Sequence, residues 1–323
     1  MKTKYIKKLS VIIFGISLIF TLGIGHAYGW GSAVHAYIDD HLGRKAPVRN
    51  LNEIYGAMAP DVFNFLFSNP EMMDYLYFVT HYQGKTDDFL NVWDNSHNFL
   101  SKAVAFGFVS HNGQFGADLT AHHLSLALPE GNQGYVIEKR DILKLYISPL
   151  LNQYYFPPAV VDELCHDLIE FALDIVITQQ NKGLAAKIST AAMFRTPEFP
   201  LILVKSYAQG LALQNFPGFT NYLVAANLII QAESEFRKSM ISYGQALMQD
   251  QDTAIALIAQ QLVDLAKAFL GGLPEGSKEE DFLNLAKYGL VQSMVICNED
   301  FQQELQETIK FVAHNLANNG ISD

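Results

Sequence analysis

Residues that can bind a metal or move a proton are concentrated in one short segment of the chain. Three of the ten histidines lie within residues 110–123, around Asp118 and without any lysine or arginine. In a helix, His111, Asp118 and His122 would share one face, because seven residues make almost two turns and four make about one. Buried imidazole and carboxylate groups are costly unless a cation lies against them, and zinc accepts both as ligands. A water-facing polar helix face explains this segment as well.

Other residues of the same chemical types lie in separate parts of the chain. His35 falls in the first turns of a predicted helix, and His81 precedes a long acidic and aromatic stretch. Asp61 follows a proline, a position typical of a helix N-cap. His166 and Glu170 lie one helical turn apart on one face. That spacing lets two side chains hold one ion, although it is also the spacing of an ordinary surface pair.

Helices are the elements that must position these side chains. Apolar residues recur with helical spacing, while no alternating strand pattern bounded by hairpin turns is present. Clusters of proline and glycine at 197–200, 217–218 and 271–276 separate the later stretches. We therefore predict an all-α fold. Its predicted helical stretches are 100–108, 115–126, 157–179, 202–214, 222–248, 252–270, 280–296 and 300–317.

The composition indicates a globular protein and disfavours some partners. Half of the 323 residues are hydrophobic and 17% are charged, so the chain can bury a sizeable core. The net charge of -11 argues against affinity for nucleic acid or for an anionic membrane through general electrostatics. A metal site could still bind phosphate, because bound cations reverse the local field. The two cysteines, Cys165 and Cys297, could pair, and they leave metal binding to histidine and carboxylate.

The N-terminus has the pattern of a secretory signal. Four lysines within the first eight residues precede the apolar run 9–25, and small residues follow at 27 and 29. We predict that residues 1–29 are a signal peptide cleaved before Trp30, so that the mature protein is secreted or periplasmic. An uncleaved anchor is the alternative. No later segment is apolar and long enough to predict a transmembrane helix.

Taken together, these residues resemble the zinc-dependent phospholipase C family, whose trinuclear zinc superfamily also contains the S1/P1-type single-strand nucleases. A tryptophan becomes the mature N-terminus, and residues 56–61 read Gly-x-x-x-Pro-Asp. The Asp118-x-x-x-His122 step is closer to the catalytic domain of glycosylphosphatidylinositol-specific phospholipase D. The resemblance covers about residues 30–175. The matching positions are Trp30, His35, Asp61, His81, His111, Asp118, His122, His166 and Glu170.

The resemblance implies a multi-helix bundle around as many as three zinc ions. Its first ion would be held by Asp61, His81, His111 and Asp118; its second by His122, His166 and Glu170; and its third by the amino and carbonyl groups of Trp30 with His35 and the bridging Asp118. Clustered zinc lowers the pKa of water towards about 7 and holds a phosphoryl group for in-line attack. Asp61 would also accept the proton of the attacking water.

One spacing departs from the family pattern. The family separates the first histidine from the bridging aspartate by three residues, whereas six lie between His111 and Asp118. On a continuous helix these two residues would be about 10 Å apart at ~1.5 Å per residue, too far to share one zinc ion comfortably. We therefore predict that residues 112–114 break the helix. We also prefer His122 to its neighbour His123, which would point about 100° away.

These features predict a secreted zinc-dependent phosphoric diester hydrolase, a phospholipase C that releases diacylglycerol and a phosphorylated head group at a membrane surface. Residues 30–180 would form its zinc-binding catalytic core. Residues 181–323 would form a helical region, either packed on that core or separate from it. An S1/P1-type nuclease and a non-catalytic exported helical metal-binding protein are the alternatives.

Overall fold

Every regular element in the described part of the chain is helical, and that part contains no strand. The computed structural model describes residues 30–66, 69–81, 88–128, 133–151, 156–214, 216, 221–270, 272–273 and 277–322. The predicted all-α fold is therefore confirmed. The predicted signal peptide, residues 1–29, lies outside the described residues. Within them, no helix combines the length and the apolar character that crossing a bilayer requires.

Fourteen α-helices and two short 3-10 helices, Ala59–Phe65 and Asp88–Leu90, make up the described fold. The α-helices are α1 Ser32–Leu42, α2 Pro47–Met58, α3 Pro70–His81, α4 Asn91–Asp94, α5 Phe99–His111, α6 Ala117–His122, α7 Tyr135–Leu151, α8 Pro158–Gln180, α9 Leu184–Phe194, α10 Phe199–Leu213, α11 Tyr222–Leu247, α12 Gln251–Leu270, α13 Glu279–Cys297 and α14 Phe301–Asn318. The stretches predicted from residue 157 onwards agree with α8 and with α10 to α14, apart from a few residues at the ends.

Helices α2 and α5 cross with their backbones in direct contact. A Cβ atom on Gly56 would lie 2.0 Å from the carbonyl oxygen of Val104, and one on Gly107 would lie 2.0 Å from that of Glu53. Only glycine fits at either position, because the neighbouring atoms belong to backbone and cannot move aside. The crossing brings the end of α2 and the 3-10 helix that follows it against the C-terminal half of α5.

The helices after residue 180 pack on the helices before it. Helix α9 contacts α1 and α2, α11 contacts the 3-10 helix Ala59–Phe65, and α13 contacts α7 and α8. Buried apolar side chains from both halves form one continuous core. A buried polar link also joins the halves, since the Tyr55 hydroxyl donates to Glu233 at 2.8 Å and Arg195 pairs with the same carboxylate at 2.6 Å.

Helix α6 is shorter than predicted. Helical spacing indicates a helix over 115–126, but α6 ends at His122 and the chain then leaves the helical path. The buried carboxylate of Glu304, on α14, accepts hydrogen bonds from the N–H groups of Leu126 at 2.9 Å and Ala127 at 2.7 Å, and from the Ser125 hydroxyl at 2.8 Å. These bonds replace the helical ones, and their acceptor is remote in sequence.

Candidate metal centre

The helix break predicted at residues 112–114 is present. Helix α5 ends at His111, and Asn112 is buried in an extended conformation. The Asn112 side-chain oxygen accepts the N–H groups two and three residues further on, at 2.8 and 2.9 Å. The N–H of Gly113 donates to the carbonyl of His81 at 3.0 Å, which ties the turn to the end of α3. The chain therefore turns immediately after His111, and α6 starts in a new direction.

The structure brings together all eight side chains that the sequence singles out as ligands. They form three groups, and within each group one ligand atom per residue lies within 4.8 Å of the others. The groups are His35, His111 and Asp118; Asp61, His81 and His111; and His122, His166 and Glu170. Because α1, α3, α5, α6, α8 and the 3-10 helix Ala59–Phe65 all contribute, the centre lies where six elements meet.

The three groups adjoin one another. The His111 ring stacks on the His35 ring with centroids 3.7 Å apart, and meets the His81 ring edge-on at 4.7 Å. Asp118 Oδ1 lies 3.1 Å from His122 Nδ1, which connects the third group to the other two. In one respect the arrangement differs from the implied ligand sets. The residue common to two groups is His111, because the turn after it sends Asp118 towards His35.

Hydrogen bonds on the outer side of two rings orient them towards the centre. His111 Nδ1 lies 2.8 Å from the carbonyl oxygen of Ala57, and His81 Nδ1 lies 3.2 Å from that of Tyr77. A carbonyl only accepts, so each Nδ1 carries the proton and each Nε2 presents its lone pair inward. Outer partners of this kind are typical of metal-bound histidine.

Buried nitrogen atoms in the centre lack protein partners. The Nε2 atoms of His35 and His111 make no hydrogen bond to any residue that the structure describes, and both side chains are buried. A buried polar atom without a partner is costly and needs explanation. A cation bound at the Nε2 edges of the two stacked rings would give both nitrogen atoms a partner. The donors are imidazole and carboxylate without sulfur, a set that fits zinc.

Burial sets the protonation of the ligand groups. It lowers the pKa of His35 and His122 well below the usual value, and it also lowers the pKa of His111. Burial raises the pKa of Asp118 to about 6, although nearby imidazoles act in the opposite direction. For Asp61, burial acts to raise the pKa, but the neighbouring His81 and His111 and the Asn64 amide lower it overall. At neutral pH the imidazoles of His35, His111 and His122 are therefore uncharged and able to bind a cation.

Asp61 is the most accessible of the carboxylates in the centre. Its side chain is 22% exposed, whereas that of Asp118 is 4% exposed. It lies in the first turn of a 3-10 helix, which it does not cap, in contrast to the usual position of an aspartate after proline. Its Oδ1 is 3.4 Å from His81 Nε2 and accepts a hydrogen bond from Asn64 at 3.2 Å.

The third group is built on α6 and α8. His166 Nε2 lies 2.6 Å from Glu170 Oε1, one helical turn away, and the His166 ring stacks on the His122 ring with centroids 5.2 Å apart. His122 is buried, whereas His123 is exposed. The structure therefore places His122 in the group and leaves its neighbour at the surface.

The side chain of Trp30 anchors the start of the described chain. Its ring is buried, stacks on Tyr135 at 5.4 Å and lies 6.1 Å from the ring of Phe301. The indole N–H donates to the Thr120 hydroxyl at 3.0 Å. Trp30 is thus a core residue five positions before His35. Metal binding by its amino and carbonyl groups stays a prediction.

Both cysteines are buried, unpaired thiols. Burial raises the pKa of Cys165 and of Cys297 to about 12, so both remain protonated at neutral pH. The pairing that the sequence allows is not formed. Neither thiol belongs to the three ligand groups.

Two residues that support the centre were missed in the sequence. The Tyr77 ring stacks on the His81 ring at 4.0 Å, and its i, i+4 spacing from His81 on α3 was a usable signal. Asp174, on α8, accepts a hydrogen bond from the Val34 N–H at 2.9 Å and another from the Tyr243 hydroxyl at 2.7 Å. The carboxylate thereby caps α1, the helix that carries His35, and no local pattern marks this role.

Replacing Asp174 by alanine should lower the free energy of unfolding by about 2 kcal/mol, because the first turn of α1 loses its cap and a buried hydroxyl loses its acceptor. Urea denaturation of the metal-free protein measures the change. Tyr243→Phe removes only one of the two hydrogen bonds and should cost less. Equal stability of the alanine variant and the wild type would show that Asp174 does not cap α1.

The fold and site define an all-helical protein with a candidate metal centre of imidazole and carboxylate groups. Searches of protein families, curated proteins and solved structures found no match for this chain. A functional assignment therefore rests on the residues of the centre and their geometry.

Proposed function

We propose that this protein is a secreted zinc-dependent phosphodiesterase of the phospholipase C type, and that its helices form the bundle of the trinuclear zinc superfamily. The observation that carries the proposal is the juxtaposition of three groups of ligand atoms, each within 4.8 Å. Neighbouring metal sites are typical of enzymes that act on phosphoric esters, because such sites stabilise both the attacking and the leaving oxygen.

Zinc at this centre would supply Lewis-acid polarisation of the phosphoryl oxygens and a nucleophile derived from water near neutral pH. The protein supplies the geometry and the charge. Its buried imidazoles and the carboxylates of Asp61, Asp118 and Glu170 would together hold the ions. Hydrogen bonds to the carbonyls of Ala57 and Tyr77 keep two rings in the binding tautomer.

Asp61 is the proposed proton acceptor. Its lowered pKa keeps it ionised at neutral pH, and its exposed oxygen can be reached by water. The Asn64 amide donates to one carboxylate oxygen, which lies 3.4 Å from His81 Nε2. The hydrogen bond from Asn64 therefore orients the carboxylate before a substrate arrives.

The net charge of -11 favours an uncharged lipid over a polyanion as the substrate. Phosphatidylcholine, whose head group carries no net charge, is the first substrate to test. In the proposed reaction, water attacks phosphorus and the bond from phosphorus to the glycerol oxygen breaks. Diacylglycerol leaves as the protonated alcohol, and the head group keeps the phosphate. The proposal includes removal of residues 1–29, which frees the amino group of Trp30 to bind the third ion.

The protein beginning at Trp30 should contain two to three zinc ions per chain, following the proposed ligand sets, and should release phosphocholine from phosphatidylcholine in a chelator-sensitive reaction. His122→Ala should abolish that release and lower the zinc content, because it removes a ligand from the third group. Elemental analysis and phosphocholine assay provide the two measurements. The matched control is His123→Ala, which replaces the exposed neighbour and should leave both unchanged.

Single-stranded DNA is assayed beside the lipid with the same preparations. Chelator-sensitive release of nucleotides without release of phosphocholine would assign a nuclease to this centre instead. Bound zinc without either activity would indicate a non-catalytic metal-binding protein. A zinc content near zero in the wild type would refute the metal centre itself.

A further inference from the structure

Thr120 lies in sequence between two of the ligands on α6, Asp118 and His122, and its hydroxyl makes three hydrogen bonds. It donates to the carbonyl of Ala117 at 2.8 Å. It accepts the indole N–H of Trp30 at 3.0 Å and the hydroxyl of Thr308 at 2.9 Å. A hydroxyl has one proton to donate and two lone pairs, so all of its hydrogen-bonding capacity is used.

Helix α14 makes a second attachment just after the ligands. The Glu304 carboxylate binds the N–H groups of Leu126 and Ala127 and the hydroxyl of Ser125. Thr308 and Glu304 are one helical turn apart and both are buried. One face of α14 therefore makes two contacts. Its Thr308 bonds to Thr120 on α6, and its Glu304 bonds to the segment that follows α6.

These two attachments lie on either side of His122. Helix α6 has only six residues and is too short to keep its shape without outside contacts. Its N-cap, Gly116, has no side chain, and its C-terminal residues continue into an irregular segment. The positions of Asp118 and His122 are thus fixed mainly by residues outside α6 that form hydrogen bonds with this segment. Helix α14 supplies two of those residues, Thr308 and Glu304.

We propose that Thr308 and Glu304 are positioning residues for the metal centre, and that through them the last helix of the chain determines zinc affinity at His122, His166 and Glu170. The inference rests on the proposed function in that zinc is taken as the bound ion. It goes further in giving α14, which contributes no ligand, a defined part in metal binding.

The test compares Thr308→Val with wild type in full-length mature protein. Valine keeps the shape of the side chain but leaves Thr120 with one lone pair unused. We expect zinc affinity at the weakest competent site to fall about 10-fold, as measured by competition with a chromophoric chelator. This is the lower end of the effect of removing an outer partner of a metal ligand, because Thr308 acts on the ligands only through Thr120. Cobalt-substituted protein should show an altered visible spectrum, which reports ligand geometry directly.

The matched control is Thr178→Val. Thr178 is also buried on a helix, but its hydroxyl bonds only to the carbonyls of Asp174 and Ile175 in its own helix. This variant should keep the zinc affinity and cobalt spectrum of the wild type. Thr308→Ser restores the hydroxyl and should recover both. Ser125→Ala removes one of the hydrogen bonds to Glu304, together with the bond that the Ser125 hydroxyl accepts from the Leu128 N–H. It serves as the second variant that weakens the contact between α14 and this segment if Thr308→Val does not fold.

Loss of affinity with a changed cobalt spectrum in Thr308→Val or Ser125→Ala, and recovery in Thr308→Ser, would establish the positioning role. Wild-type affinity and spectrum in Thr308→Val, or in Ser125→Ala where the former does not fold, would overturn it while leaving the proposed function intact. A wild-type protein that binds no zinc would overturn the proposed function, and this inference with it. Metal binding is measured without substrate, so the result is independent of the catalysed reaction.

Discussion

Replacing His111 by alanine should empty two of the three ligand groups in one step. His111 is the only residue common to two groups, and its ring lies between those of His35 and His81. We expect zinc to remain only at His122, His166 and Glu170, and phosphodiesterase activity to fall by more than about 100-fold, beyond the loss typical of an outer partner. Zinc per chain is measured by elemental analysis, and activity by phosphocholine release.

The control for this variant is His97→Ala. His97 is exposed just before α5, the helix that His111 ends, and it belongs to none of the three groups. Its replacement should change neither zinc content nor activity. A linked measurement is thermal unfolding with added zinc. A ligand present at 1,000 times its dissociation constant stabilises the folded state by about 4 kcal/mol, and His111→Ala should lose most of that gain. An unchanged zinc content in His111→Ala would refute its assignment as the shared ligand.

Replacing Gly107 by alanine should lower the free energy of unfolding by about 3 kcal/mol, at the upper end of the usual cost of overpacking. The added methyl group would meet the backbone of α2 at Glu53, so the two helices would have to separate. Separation would also lengthen the hydrogen bond between His111 and Ala57, because His111 lies one helical turn after Gly107 on α5. Urea denaturation measures the loss of stability, and chelator competition measures the accompanying loss of zinc affinity.

Gly210→Ala is the matched control for the crossing. Gly210 also lies inside a helix, but an added Cβ would meet only the hydroxyl end of the Tyr75 side chain, which can move. Alanine is favoured over glycine in helices by about 1 kcal/mol, so this variant should be as stable as the wild type or more so. If Gly107→Ala were also as stable as the wild type, the close contact of α2 and α5 would not contribute to the stability of the fold.

The residues of the candidate centre could be predicted because residue type and spacing are properties of the sequence itself. Histidines and acids at particular intervals indicate ligands, and the excess spacing between His111 and Asp118 indicated a break in the helix. The glycine within residues 112–114 supported that prediction, and Asn112 supplies the hydrogen bonds that form the turn. Long periodic stretches predicted α8 and α10 to α14 for the same reason, since apolar periodicity is a local signal, whereas α9 was not predicted.

What could not be predicted depends on partners remote in sequence. The end of α6 at His122 is set by Glu304, and the start of α1 is held by Asp174. The residues next to Glu304 and Asp174 in the sequence give no sign that either carboxylate has such a role. The sharing of His111 between two groups likewise follows from how α1 and α3 meet α5 in space. Such features become visible only when the helices are packed.

The hydrogen bonds of the Thr120 hydroxyl join the two ends of the described chain. Its partners are Trp30, 90 residues earlier, and Thr308, 188 residues later. Contacts between distant residues form slowly, because the entropy of closing a long loop must be overcome before they stabilise the protein. We therefore expect the segment that carries Asp118 and His122 to reach its final shape only after α14 has docked. Metal binding at the proposed centre would then complete folding rather than nucleate it.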